Sequence, residues 1–200
     1  MSSIPERQIR AYFTNTTIRV YQAFSDTIAN SALSVGTFES PPFKMDRMTW
    51  IKPSFLWMMH RSGWGQKDNN QSRILAIDIS ISGFEWALEH SCLSHKPTNI
   101  DEVQWRQLKL AKPVRIQWDP ERDIHLNPLN YRAIQIGLSN EAVGKYTGSW
   151  IQCITDVTAF SRRLNKLVQE GKVEEVKKLL PKERAYSLPD SIRATIGVTI

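Results

Sequence analysis

Four stretches of this chain alternate apolar and polar residues with a period of two, a pattern that suits strands and no other regular structure. They are residues 17–24 (TIRVYQAF), 73–81, 114–119 and 131–138. In the first, Ile18, Val20 and Phe24 share a face whose fourth member is Gln22. A core-facing amide must find hydrogen-bond partners or meet a polar ligand. The second sets Leu75, Ile77, Ile79 and Ile81 against Asp78, and the third sets Val114, Ile116 and Trp118 against Arg115 and Gln117 before an Asp119-Pro120 turn. The fourth turns Ile134, Ile136 and Leu138 inward and leaves Tyr131, Ala133, Gln135 and Gly137 on the reverse face.

Helical signals fall between and after these strands. Ser25 or Asp26 can cap a helix with Ile28, Ala29, Ala32 and Leu33 on its apolar side and Gly36 as terminator. Pro53 and Gly63 bracket a helix over 53–62, and another is expected over 83–92. Ala159, Phe160, Leu164, Leu167 and Val168 form a stripe ended by Gly171, with a short helix following to Leu180. Strands with helices inserted between them make an α+β fold: a single domain over 1–200, with a mixed or antiparallel sheet and inserted and C-terminal helices. Two hundred residues with 41% hydrophobic content suit one core. The basic helical segment 160–200 is expected to pack on that core. No apolar run reaches the roughly 20 residues of a membrane span, so no membrane partner is expected. The start of the chain lacks the apolar stretch of a secretion signal, and two cysteines make no disulfide framework. A cytoplasmic location with reduced thiols follows as the expectation.

The stretch 43–64 (FKMDRMTWIKPSFLWMMHRSGW) holds three of the seven tryptophans and four of the five methionines among Lys44, Arg47, Lys52, His60 and Arg61. That mixture suits the wall of a cationic, aromatic pocket better than a plain core or a plain surface. Within its helix Ser54, Trp57, Met58 and Arg61 share one face. One reading buries this helix, with Arg61 neutralised by a carboxylate. The other has Arg47, Lys52 and Arg61 gripping phosphate while Trp50 or Trp57 stacks on a flat ring. The formal net charge of +6 favours anionic partners, a nucleotide or dinucleotide, or nucleic acid.

The usual constellations are absent: no P-loop, no GxGxxG, no GxSxG and no kinase signature. His90-x-Cys92-x-x-His95 lacks a second ligand pair, so no metal is expected. Asp119, Glu121 and Asp123 beside Arg122 read as a surface salt-bridge cluster. The run from Arg162 to Arg184 carries eight Lys or Arg against four Glu and reads as a solvated helix face.

The segments RQIRAYFTNTTIRVYQAF, RMTWIKPSFLWMMHRSGW, RILAIDIS, QWDPERD with YRAIQIGLS, and Trp150-Ile151-x-x-Ile154-x-Asp156-Val157-Thr158 together resemble the family called domain of unknown function 4291. That resemblance brings no catalytic residues with it. A more distant one does. The strand ending Val20-Tyr21-Gln22-Ala23, a short helix and Gly36-x-Phe38 are similar to the opening of ADP-ribosyltransferase domains. The resemblance implies an ADP-ribosyltransferase-like fold with NAD as cofactor, Gln22 at the nicotinamide end and Gln135 on the late strand, as the catalytic positions. Gly137 stands where a Glu is commonest in that family, and Gln135 can hydrogen-bond ribose without supplying charge. The dinucleotide would be held by Arg10, Tyr21, Arg47, Trp50, Lys52, Ser54, Trp57 and Arg61. Nucleic acid or protein would accept the ADP-ribose. The alternative is a non-enzymatic nucleic-acid-binding domain, with tryptophans stacking bases and cations neutralising phosphates.

Overall fold

In the computed structural model, which describes residues 4–98 and 100–199, the alternating segments become the longest strands of two sheets. The order is β1 (Arg10–Ala11), β2 (Thr17–Phe24), α1 (Asp26–Val35), β3 (Thr49–Ile51), α2 (Phe55–Ser62), β4 (Arg73–Ser80) and α3 (Ile81–Glu89). It continues with β5 (Ser91–Leu93), α4 (Glu102–Ala111), β6 (Val114–Arg122), β7 (Pro128–Leu138), α5 (Glu141–Lys145), a π-helical turn (Tyr146–Trp150) and β8 (Ile151–Asp156). The chain closes with α6 (Thr158–Gln169), α7 (Val173–Leu179), β9 (Arg184–Ala185) and α8 (Asp190–Ile196). This is a single-domain α+β fold.

One sheet is antiparallel in the order β2-β4-β8; the other runs β3-β7-β6-β5, with only the β5-β6 pair parallel. β1 and β9 make a separate short antiparallel ribbon. Strands β2 and β4 bury side chains on both faces of the three-stranded sheet, while β8 is largely exposed. Ile18, Val20, Leu75, Ile77 and Ile79 enter one core with α1, α3 and α8, while Tyr21, Ile74 and Ala76 enter a second core with Phe55, Met58 and Met59 of α2 and Leu164, Leu167 and Val176 of α6 and α7. A sheet covered on both sides obscures strict alternation, because residues on either face can be apolar.

Several boundaries differ from the sequence expectation, each for a local reason. α2 begins at Phe55, because Ser54 stays extended and its hydroxyl accepts from the Trp57 amide as the N-cap; Pro53 precedes the helix. Ser80 caps α3 in the same way, so Ile81 leaves the strand and starts the helix. The helix stops at Glu89, and Cys92 lies in β5 beside β6 instead of ending a helix. Asp119-Pro120 is no turn: β6 runs through it to Arg122, and the register slips between Pro120 and Arg122, where proline has no N–H to donate. The expected four strands become nine among the described residues, the additions being mostly short pieces without a readable period.

The acidic WDPERD segment is also not wholly a surface cluster. Glu121 is buried, and its Oε1 accepts from Ser54 Oγ at 2.8 Å and from the Arg122 amide at 2.8 Å. Next to it Glu183 accepts from the Phe55 amide at 2.7 Å, so two carboxyl groups meet the start of α2. Burial pushes Glu183 up to about 8 from 4.5; the helix-end amide pulls the other way, and neighbouring Glu121 adds to the rise. The folded protein therefore holds a proton that the unfolded chain releases near pH 4.5. That contribution to stability is complete below pH 4.5 and disappears as the pH rises through about 8. Urea unfolding between pH 5 and 9 should show stability falling with a slope approaching about 1.4 kcal/mol per pH unit below pH 8. Glu183→Gln should flatten that slope; an unchanged slope would remove the assignment.

Candidate functional site

The two sheets meet where β2 passes the end of β3. The Tyr21 amide donates to the Lys52 carbonyl at 2.7 Å, and the Lys52 amide donates back to Tyr21 at 3.3 Å. The next side chain, Gln22, is buried at the seam. Its Nε2 donates to Thr49 Oγ1 at 2.7 Å and to the Trp50 carbonyl at 3.2 Å, and its Oε1 accepts from the Tyr146 hydroxyl at 2.7 Å. Beside this seam lies a cavity of about 450 Å³, lined by residues of both sheets and of α2. Gln22, Met48, Thr49, Trp50, Lys52, Met58, Arg61, Gln71, Gln117 and Gln135 form most of its wall. An adjoining hollow of about 530 Å³ shares Phe24, Met48 and Thr49 with it and adds Lys44 and Arg47.

The wall is unusual in its polar groups, four glutamine amides with Lys52 and Arg61. Gln117 and Gln135 are cross-strand partners on β6 and β7, and both donate to Asp119, Gln117 at 2.9 Å. With its amino group so engaged, Gln135 keeps Oε1 as its free end. Trp50 lies against Gly137. A Cβ there would meet Met48 Sδ at 2.8 Å and the indole at 3.0 Å, so a side chain at position 137 would have to displace one of them.

Lys52 is 6% exposed, and its Nζ touches only the Trp50 carbonyl, at 3.3 Å. Among the described residues no carboxylate forms an ion pair with it. Burial, reinforced by Arg61 and opposed by Asp119, lowers its pKa to about 7. Arg61 is exposed and contacts Gln71 Oε1 at 3.3 Å; it is not neutralised by a carboxylate, contrary to the buried-helix reading. His60 is also pushed down, by burial first and then by Arg122, Lys67 and Arg61.

The remaining candidates lie elsewhere. Arg47 borders the adjoining hollow. Trp57 is buried, edge-on to His60 with ring centroids 5.4 Å apart, and does not line the cavity. Ser54 is occupied in capping α2 and bonding Glu121, and Arg10 contacts Gln8 and the Glu183 carbonyl. Tyr21 projects to the other side of its strand, into a separate cavity with Phe55 and Phe160. His90 stacks on Trp86 at 3.9 Å, and among the described residues no three His, Cys, Asp or Glu side chains gather as a metal site.

Gln117, Asp119, Thr49 and Tyr146 belong to the cavity or its support and were not expected from sequence. Gln117 and Gln135 become a pair only once the β6-β7 register is known. Tyr146 reaches Gln22 across 124 positions, a distance no local pattern encodes.

Two comparisons bear on the chain. A family model described as "Domain of unknown function (DUF4291)" matches residues 8–186. No curated protein matches. Among the described residues no helix is long and apolar enough to cross a membrane.

Gly137→Ala tests the packing that shapes this wall. The added methyl must move Trp50 or Met48, which should cost about 1–3 kcal/mol in denaturant unfolding. Wild-type stability in that variant would show that the indole does not rest there.

Proposed function

The chain belongs to the family described as Domain of unknown function (DUF4291), a description that assigns no activity, and from the site itself we propose that it binds NAD in the two joined hollows as an ADP-ribosyltransferase-like protein. The observation that carries this reading is the convergence of Gln22 from one sheet and Gln135 and Trp50 from the other on a cavity that also takes Arg61. A dinucleotide has two ring systems joined by two phosphates. The cavity offers an indole and an exposed guanidinium, and the adjoining hollow offers Lys44 and Arg47 for a second anionic segment. Gln135 and Gln117 would hydrogen-bond ribose hydroxyls.

Cleavage of the nicotinamide–ribose bond sends its electron pair to nicotinamide and leaves positive charge on the ribosyl ring. Asp119, held by both glutamines that line the cavity, would supply the negative charge in place of a Glu at position 137. Lys52, when neutral, adds no repulsion. Nucleic acid or protein then accepts the ADP-ribosyl group.

Calorimetry with NAD should give one equivalent bound with shallow salt dependence, and longer incubation should release nicotinamide. Arg61→Gln, on an exposed site, should weaken binding by roughly 10–100-fold, the worth of one charge-assisted hydrogen bond. Absence of NAD binding would overturn the reading. A non-enzymatic nucleic-acid module is the second reading, favoured by Lys44, Arg47 and Arg61 standing exposed. It predicts affinity for many sequences that falls steeply with salt.

A further inference from the structure

Lys52 has a use that phosphate binding does not exhaust. A lysine serves as a nucleophile only when its lone pair is free, which requires a site that disfavours the ammonium form and still admits a substrate. Most lysines meet neither condition. Lys52 meets both: it is enclosed, it lacks a carboxylate partner among the described residues, and it lines an open-sided cavity of about 450 Å³.

The groups around it are accounted for element by element. From α2 comes Arg61, a like charge that disfavours protonation. From β6 comes Asp119, which favours it more weakly and is already engaged by two amides. From β7 and β2 come Gln135 and Gln22, both uncharged. The Trp50 carbonyl accepts from Nζ at 3.3 Å, which orients the amine without neutralising it.

We propose that Lys52 is a reactive amine that condenses with phosphorylated aldehydes admitted to this cavity. The Nζ lone pair attacks the carbonyl carbon, and the oxygen takes up the proton that nitrogen gives up, forming a carbinolamine. Loss of one water, with nitrogen giving up its remaining proton, then leaves the neutral imine, which takes a proton from solvent; no oxidant or reductant is consumed. Arg61 supplies the phosphate contact, Trp50 the apolar wall, and the free Oε1 of Gln135 an acceptor for a carbinolamine hydroxyl. This chemistry does not rest on NAD binding. An aldehyde can enter whether or not a dinucleotide does, and calorimetry with NAD tests that reading separately.

Pyridoxal phosphate, a flat phosphorylated aldehyde, is a suitable probe. Incubation of the whole chain at pH 7, borohydride reduction and peptide mapping should place the label on Lys52 roughly tenfold or more faster than on any exposed lysine. At that pH roughly half of an amine with pKa 7 is neutral, against about one in a few thousand of an ordinary lysine. Lys52→Met should remove the label, with folding checked by thermal unfolding. The wild-type protein carries a second test that needs no Lys52 variant. With acetaldehyde, which has no phosphate, Lys52 labelling should reach half its maximal rate near pH 7, and Arg61→Gln should move that midpoint upward by relieving the like charge. Label spread over exposed lysines with Lys52 unmodified, or a midpoint near that of an ordinary lysine, would overturn the proposal.

Discussion

Two backbone hydrogen bonds between Tyr21 and Lys52 stitch the three-stranded sheet to the four-stranded one, and the shape of the molecule around its cavity depends on that seam. Neither sheet closes on the other by continuous pairing, so a gap opens beyond the stitch. Gln22 braces the gap through three hydrogen bonds, to Thr49, the Trp50 carbonyl and the Tyr146 hydroxyl. The Tyr146 hydroxyl, which is fully buried, would otherwise lack a partner, at a cost of about 1–3 kcal/mol. A glutamine that looks misplaced on an apolar strand face is therefore a structural brace whose position also borders the cavity.

The ends of α2 carry opposite charge. α2 runs from a carboxyl-rich beginning to a basic end. Its start meets Glu121 and Glu183, while His60 and Arg61 lie in the last turn, where the helix dipole favours positive charge. Lys52 lines the same cavity as Arg61, and no carboxylate among the described residues forms an ion pair with it. Burial and the like charge of Arg61 both disfavour the ammonium form of Lys52.

The long elements were legible in sequence because their periods are long enough to read. Strands β2, β4, β6 and β7, helix α1 with its Gly36 cap, and the cationic, aromatic character of 43–64 could all be seen there. What could not be seen depends on register and distance. Trp50 and Trp57 look equivalent in the sequence, yet one faces the cavity and the other is buried, because Ser54 starts the helix after Pro53 and fixes its rotation. Glu121 looked like surface because Asp119-Pro120 looked like a turn; a bulged strand carries it inside instead. α4 was missed although Asp101 and Gln104 form a capping box, since its exposed Val103 and Leu110 leave no apolar face turned to a core.

The account turns on the cavity being an open binding site at the seam. Its most direct test is a two-dimensional ¹⁵N NMR titration with NAD that follows the glutamine side-chain amides and tryptophan indoles. The account predicts selective, saturable shifts of the Gln117, Gln135 and Trp50 signals, with the buried Trp57 and Trp118 indoles unmoved. Unshifted Gln135 and Trp50 signals at saturating NAD, or shifts confined to residues outside the cavity, would contradict it.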